Sequence, residues 1–263
     1  MTRWQRFLRM AFAALVARPV VRLWLGVNVR HQERLPLRGP AIVAANHNSH
    51  LDICTLLSLF PLARVPDVQP AAAADYFMKG GPLTWIARDL VGIVPVIRGG
   101  VRAGPSGAGA GAGAGAVKGH GNDNGSGSGN RNGNGERRDP LEGCYEALER
   151  GGILVIFPEG TRGEPEQMQA LKSGIAHLAR RFPDAPVVPL YMHGLGKSMP
   201  KGSFVPLPVF VDIFVGRALS WRADAQDDKA AFMQTLTDRF ASLRLKARPT
   251  RDDAHDDVDQ ENA

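Results

Sequence analysis

The chain has 263 residues, 44% hydrophobic and 22% charged, with a net charge of +6. Residues 99–135 hold 15 of its 30 glycines and the last twelve residues are acidic, yet the remainder suffices for one domain with a sizeable core. No stretch approaches 18 consecutive apolar residues, which excludes a transmembrane helix of the usual kind. Two cysteines, Cys54 and Cys144, cannot form a disulfide framework and read as reduced, buried thiols.

Residues 1–38 form a basic leader, with eight Arg against one Glu. Trp4, Phe7, Leu8, Ala11 and Leu15 recur at helical spacing, with Arg3, Arg6 and Arg9 off that stripe. A second apolar segment, Val20 to Val29, is interleaved with Arg22 and Trp24 and runs up to Arg30. Basic charge alone suits nucleic acid, an acidic protein or an anionic membrane. The apolar stripe and the tryptophans favour the membrane surface and argue against nucleic acid. The alternative is an amphipathic helix packed on the protein's own core. A cleaved signal peptide fits poorly, because the uncharged run Met10–Ala17 is short and Arg18, Pro19 and Arg22 follow it.

Beyond the leader, apolar runs and helical patterns alternate. Ala41–Ala45 reads as a buried strand, Ile53–Phe60 as a helix stopped by Pro61, and Val68–Ala74 as a weaker strand. Leu83–Leu90 looks helical, and Ile93–Ile97 strand-like with Pro95 marking a sheet edge. Residues 99–135 are too poor in apolar surface to order themselves and read as a flexible insertion. Asp139-Pro140-Leu141-Glu142 has the pattern of a capped helix start, Glu142 closing the box, and that helix ends at Gly151-Gly152. Ile153–Phe157 is the strongest buried-strand signal. A helix from Ser173 to Phe182, strands at Val187–Met192 and Val209–Val215, and an amphipathic helix through Phe232, Leu236, Phe240 and Leu243 complete the chain. Strands alternating with helices imply an α/β fold, a mostly parallel sheet flanked by helices.

Two segments carry chemistry. Asn46-His47-Asn48-Ser49-His50-Leu51-Asp52 directly follows a buried strand. On a continuous helix, His47 and Asp52 would point roughly 140° apart. In a strand-to-helix turn they can meet, and the Asp can fix the imidazole tautomer and strengthen its free nitrogen as a base. His47, His50 and Asp52 could also be metal ligands, the lesser reading because no fixed further ligand accompanies them. The second segment is Phe157-Pro158-Glu159-Gly160-Thr161-Arg162, at the C-terminal edge of a strand, where open α/β sheets bind ligands. Arg162's fork suits a phosphate monoester.

NHNSHLD followed by FPEGTR resembles the glycerolipid acyltransferase family, best known for 1-acyl-sn-glycerol-3-phosphate acyltransferases. The resemblance covers roughly residues 20–220 and four ordered blocks: His47 to Asp52, Gly92 to Arg98, Phe157 to Arg162, and Val187-Val188-Pro189-Leu190. It implies a membrane-docking helical element, placed at 1–38, ahead of an acyltransferase domain at 39–250; composition adds the flexible insertion at 99–138 within that domain and an acidic disordered tail at 251–263. His47 would be the general base and Asp52 its orienter. Arg98, Glu159, Gly160, Thr161, Arg162 and Lys172 would hold a phosphorylated acceptor, and Pro189 would shape the site. No cofactor or metal is implied; acyl-CoA or acyl-carrier protein is the co-substrate. The implied partners are a lysophospholipid acceptor and an anionic membrane. The implied place is the cytoplasmic face of the cell membrane, peripheral or monotopic.

The sequence departs from the family pattern in three places. Ala73-Ala74-Asp75-Tyr76-Phe77 stands where a Lys-x-Glu-Leu stretch is common, with Lys79 nearby; Gly163 stands where serine is usual; and the Gly-rich insertion is atypical. The leading expectation is acylation of lysophosphatidic acid. Another lysolipid or lyso-aminolipid acceptor, a lipid- or carrier-binding protein, and a metal-dependent hydrolase are the alternatives.

Overall fold

The computed structural model describes residues 1–49, 51–73, 85–97, 130–131, 137–163, 166–198, 207–225 and 227–247. His50, Ala74 to Phe77, Lys79, Arg98, most of the Gly-rich insertion and the acidic tail lie outside them. The strands are β1 (Gly26–Arg30), β2 (Ala41–Ala45), β3 (Val68–Ala73), β4 (Val94–Val96), β5 (Asn130–Arg131), β6 (Arg137–Arg138), β7 (Ile153–Ile156), β8 (Val187–His193) and β9 (Phe210–Val215). Seven of them form one sheet in the order β1-β9-β8-β2-β7-β3-β4. β4, β3, β7, β2 and β8 are parallel neighbours, β9 runs antiparallel to β8, and β1 runs parallel to β9. β5 and β6 make a separate antiparallel pair.

β2, β7 and β8 lie where continuous apolar runs demanded strands. β2 is buried at all five positions, as a central parallel strand covered on both faces must be. β4, with Pro95 exposed, is the edge. Helices α1 (Arg3–Phe12), α2 (Asp52–Leu59), α3 (Glu142–Glu149), α4 (Gly174–Arg181), α5 (Leu195–Ser198) and α6 (Lys229–Lys246) complete the elements that matter here. Cys144, Leu178, Phe232, Leu236 and Phe240 pack one core with Ile42 and Leu154. Leu56, Leu57 and Phe60 pack the other with Val43, Val155 and Leu190. The expected stripe of α6 is buried throughout, at Phe232, Leu236, Phe240 and Leu243. At α3, Asp139 Oδ1 accepts the Leu141 N–H at 2.8 Å, but the helix proper starts at Glu142 without the expected box.

The leader departs from expectation in two ways. Its second apolar segment is not all helical: after a wide π-type turn at Val20–Trp24 it enters the sheet as β1. And Arg9, expected on the polar face of α1, is 1% exposed. Its guanidinium donates to the carbonyls of Pro66 (2.8 Å), Val91 (2.8 Å) and Val68. Gln5 adds a bond to Asp89 at 2.9 Å and Arg6 an ion pair to Asp67. Gly92, at φ +74°, leaves room for the Arg9 head, which any Cβ would strike. Burial pulls the Arg9 pKa down to about 10, so it remains charged at neutral pH. α1 is thus pinned by its polar residues and by Phe12 against the core, while Trp4 (65% exposed), Phe7 (54%) and, just beyond the helix, Leu15 (76%) face outward. Among the described residues, no helix is long and apolar enough to cross a membrane.

Candidate active site

The site grows from the C-terminal end of β2. Asn46 extends the β2–β8 pairing with its side chain, donating Nδ2–H to Met192 O (2.9 Å) and accepting Met192 N–H at Oδ1 (2.7 Å). Asn48 donates to the same carbonyl at 2.9 Å. With both amides tied to β8, the main chain between them turns and lifts His47 out of the sheet. His47 Nδ1 lies 2.7 Å from Asp52 Oδ2, closing the pair that the turn permits. The same oxygen accepts the N–H groups of Asn48 (2.7 Å) and Ser49 (3.0 Å). Asp52 is the first residue of α2, where the helix dipole favours an anion.

These contacts also set the electrostatics. Asp52 is fully buried, and that burial pushes its carboxyl above the usual range. The His47 hydrogen bond and charge and the two N–H groups pull in the opposite direction. The imidazole stacks on Phe157, ring centres 4.3 Å apart, with 23% of its side chain exposed. One edge of the ring is therefore bonded inside the protein, one face is covered by Phe157, and a minor part of the side chain remains exposed.

β7 ends beside it and supplies the second cluster. Glu159, buried, accepts the His47 N–H at Oε1 (2.9 Å) and the Gln169 N–H at Oε2 (2.8 Å). Burial pushes its carboxyl upward as well, against those two hydrogen bonds. Gly160 turns the chain at φ +73°, with its N–H on Phe157 O (2.9 Å). A Cβ there would meet the Lys172 ammonium at 2.7 Å, so glycine serves both the turn and the close approach of lysine. Thr161 is exposed and Arg162 half-buried on the loop that follows. Lys172 N–H closes that loop on Pro158 O at 2.8 Å.

The structure thus brings His47, Asp52 and Glu159 into one bonded cluster, with Gly160 and Lys172 next to it. Pro189 pairs with Ala44 inside the sheet, and its ring faces Gly216. Arg98 falls outside the described residues. Among the described residues, no three His, Cys, Asp or Glu side chains converge as a metal site. One participant escaped sequence reasoning: Asn46. Asn46 could have been suspected from its place between a buried strand and His47.

The Acyltransferase family model matches residues 26–193, which include both clusters. The chain belongs to the acyltransferase family. It is 29% identical over 182 residues to "1-acyl-sn-glycerol-3-phosphate acyltransferase LPAT1, chloroplastic" of Arabidopsis thaliana, covering 67% of this chain and 38% of that protein. It is 25% identical over 197 residues to "1-acyl-sn-glycerol-3-phosphate acyltransferase BAT2, chloroplastic" of Brassica napus, covering 70% and 44%. The chain therefore spans about two fifths of the length of the curated relatives it matches. The acyltransferase fold is shared with the crystal structure of PlsC, the 1-acyl-sn-glycerophosphate acyltransferase of Thermotoga maritima. There the TM-score is 0.61 at 20% identity, over 94% of this chain and 81% of that one.

Proposed function

We propose that this acyltransferase moves a fatty acyl group from an acyl thioester to the free hydroxyl of lysophosphatidic acid, giving phosphatidic acid for phospholipid biosynthesis. The observation that carries this reading is the seating of Asp52 Oδ2 on His47 Nδ1 and two backbone N–H groups. An ionised carboxylate only accepts, so Nδ1 carries the proton and Nε2 keeps its lone pair. Nε2 takes the proton of the acceptor hydroxyl as that oxygen attacks the thioester carbonyl carbon. The tetrahedral intermediate collapses with cleavage of the carbon–sulfur bond, and the departing thiolate receives the proton from Nε2. Asp52 stabilises the imidazolium between the two transfers.

The acceptor phosphate would lie along the loop after β7. Arg162 offers the two-bond fork, Thr161 a hydroxyl and Lys172 an ammonium, with Arg98 a further cation. Glu159 and Gly160 shape that loop. The names of the two plant relatives support a glycerol-phosphate acceptor. The reaction as written needs neither metal nor cofactor, and acyl-CoA or acyl-carrier protein serves as co-substrate.

Attachment to an anionic membrane, peripheral and on the cytoplasmic side, completes the proposal. Its support is the outward stripe of Trp4, Phe7 and Leu15 on the basic leader. The test is lipid mass spectrometry after incubating purified protein with acyl donors and a panel of lyso-acceptors. Phosphatidic acid as the dominant product upholds the acceptor. Faster acylation of lysophosphatidylcholine or of a phosphate-free lyso-aminolipid overturns it.

A further inference from the structure

The loop after β7 has a second carboxylate anchor, and it lands on a different strand. Glu166 Oε1 accepts the N–H groups of Gly194 (3.0 Å) and Gly196 (3.1 Å), where β8 turns into α5. Its Oε2 lies 2.8 Å from His193 Nδ1, at the last residue of β8. The carboxylate reaches this turn from 27 to 30 residues earlier in the chain, so it is not a local cap of the turn it satisfies. Glu166 also holds φ +61°, a left-handed conformation that a side chain of its size rarely adopts, and such strain persists where surrounding contacts enforce it.

The partners are rigid. Gly194 sits at φ +89°, so close to the Phe210 carbonyl that no Cβ would fit, which locks the end of β8 against β9. Met192, one residue before His193, accepts from Asn46 and Asn48 on either side of His47. The loop is therefore strapped at both ends of one rigid frame. Glu159 ties it to the backbone of His47, and Glu166 ties it to the strand that positions Asn46 and Asn48. Thr161 and Arg162 lie between the two straps.

We infer that the Glu166–His193 pair is a positioning clamp that fixes the acceptor-binding loop, and with it Arg162, relative to His47. The inference rests on the reading that this loop holds the acceptor phosphate. Neither residue enters the proton transfers; both act through the loop. Losing the clamp should weaken acceptor binding far more than donor binding.

The experiment uses the full chain and two readouts. Hydrogen exchange followed by mass spectrometry reports order in segment 160–172. Steady-state kinetics report KM for lysophosphatidic acid and for the acyl donor separately. E166A and H193A should each speed exchange in that segment and raise acceptor KM about tenfold, with donor KM within twofold. The double variant should be no worse than E166A, because that substitution already removes the His193 contact along with both glycine N–H bonds. E166Q preserves an acceptor for the two glycine N–H groups; it should fold like the wild type and restore most of the acceptor KM. Unchanged exchange, an acceptor KM within twofold of wild type, or equal rises in both KM values would overturn the clamp, whatever Arg162 does. R162A with unchanged acceptor KM would instead count against Arg162 as the phosphate contact, while the exchange readout and acceptor KM of E166A still decide the clamp.

Discussion

Glu159 holds the backbone N–H of His47 at 2.9 Å with one carboxylate oxygen and the loop at Gln169 with the other. A single buried side chain thereby sets both the base and the segment proposed to carry the acceptor. Glu159→Ala would leave two N–H groups without a partner. The expected loss of stability is about 1–3 kcal/mol, read from urea midpoints. Glu159→Gln keeps an acceptor for one N–H and turns an NH₂ toward the other, so it should recover only part of both stability and activity. Full recovery by glutamine would show that one of the two contacts is dispensable.

Asp52 couples function against stability in a way that pH can expose. Its pKa is raised above the ordinary 3.8, mainly by burial, so the folded state binds the proton more tightly than the unfolded chain. Stability from this group is present below 3.8 and is lost as pH rises through the elevated folded value. Asp52→Asn can offer one oxygen to the same three donors without the buried charge. The variant should match wild type near pH 4 and equal or exceed its stability at pH 7, while acyl transfer falls by ~10²–10⁴-fold. Urea midpoints from pH 4 to 8 check the sign; an asparagine variant that becomes relatively weaker as pH rises would refute it.

Arg9 anchors α1 through three carbonyls and not through charge pairing alone. Arg9→Met should cost roughly 2–4 kcal/mol, since buried acceptors lose their donors. Arg9→Lys should restore a minor part, because an ammonium cannot span the three-carbonyl fork. Trp4→Ser combined with Phe7→Ser should leave the urea midpoint within about 0.5 kcal/mol of wild type, because both rings are exposed. The same double variant should release the protein from anionic vesicles. Wild-type binding should weaken with salt. Unchanged pelleting by the serine variant would remove the outward stripe from the membrane reading.

The Gly-rich insertion leaves and returns near one point, for Ile97 N–H reaches Pro140 O at 3.2 Å. Excising residues 104–129 should therefore change neither the melting temperature nor specific activity appreciably, since loop length enters stability only logarithmically. Loss of activity at unchanged melting temperature would assign the insertion a working role.

Much of this was legible in the residues. Ala41–Ala45 and Ile153–Ile156 are apolar without interruption because central parallel strands are covered on both faces. Both chemical clusters follow those strands directly, so finding the strands located the site. What stayed hidden had physical causes. A helical stripe shows that two faces differ but not which one turns inward, and α1 buries Arg9 while exposing Trp4 and Phe7. Gly26–Arg30 reads as part of an amphipathic leader, although pairing with β9 makes it the sheet's other edge. The bond between Glu166 and the end of β8 depends on a loop crossing the strand ends, which no local pattern encodes.

The most direct test of the proposed mechanism is the single-turnover rate of acyl transfer in His47→Ala at saturating donor and lysophosphatidic acid. The imidazole is partly exposed and its removal leaves the Asn46–Met192 bonds in place, so the variant should fold. The expected result is a fall of ~10²–10⁴-fold in the chemical step, with vesicle binding retained. A rate within threefold of wild type would contradict His47 as the base.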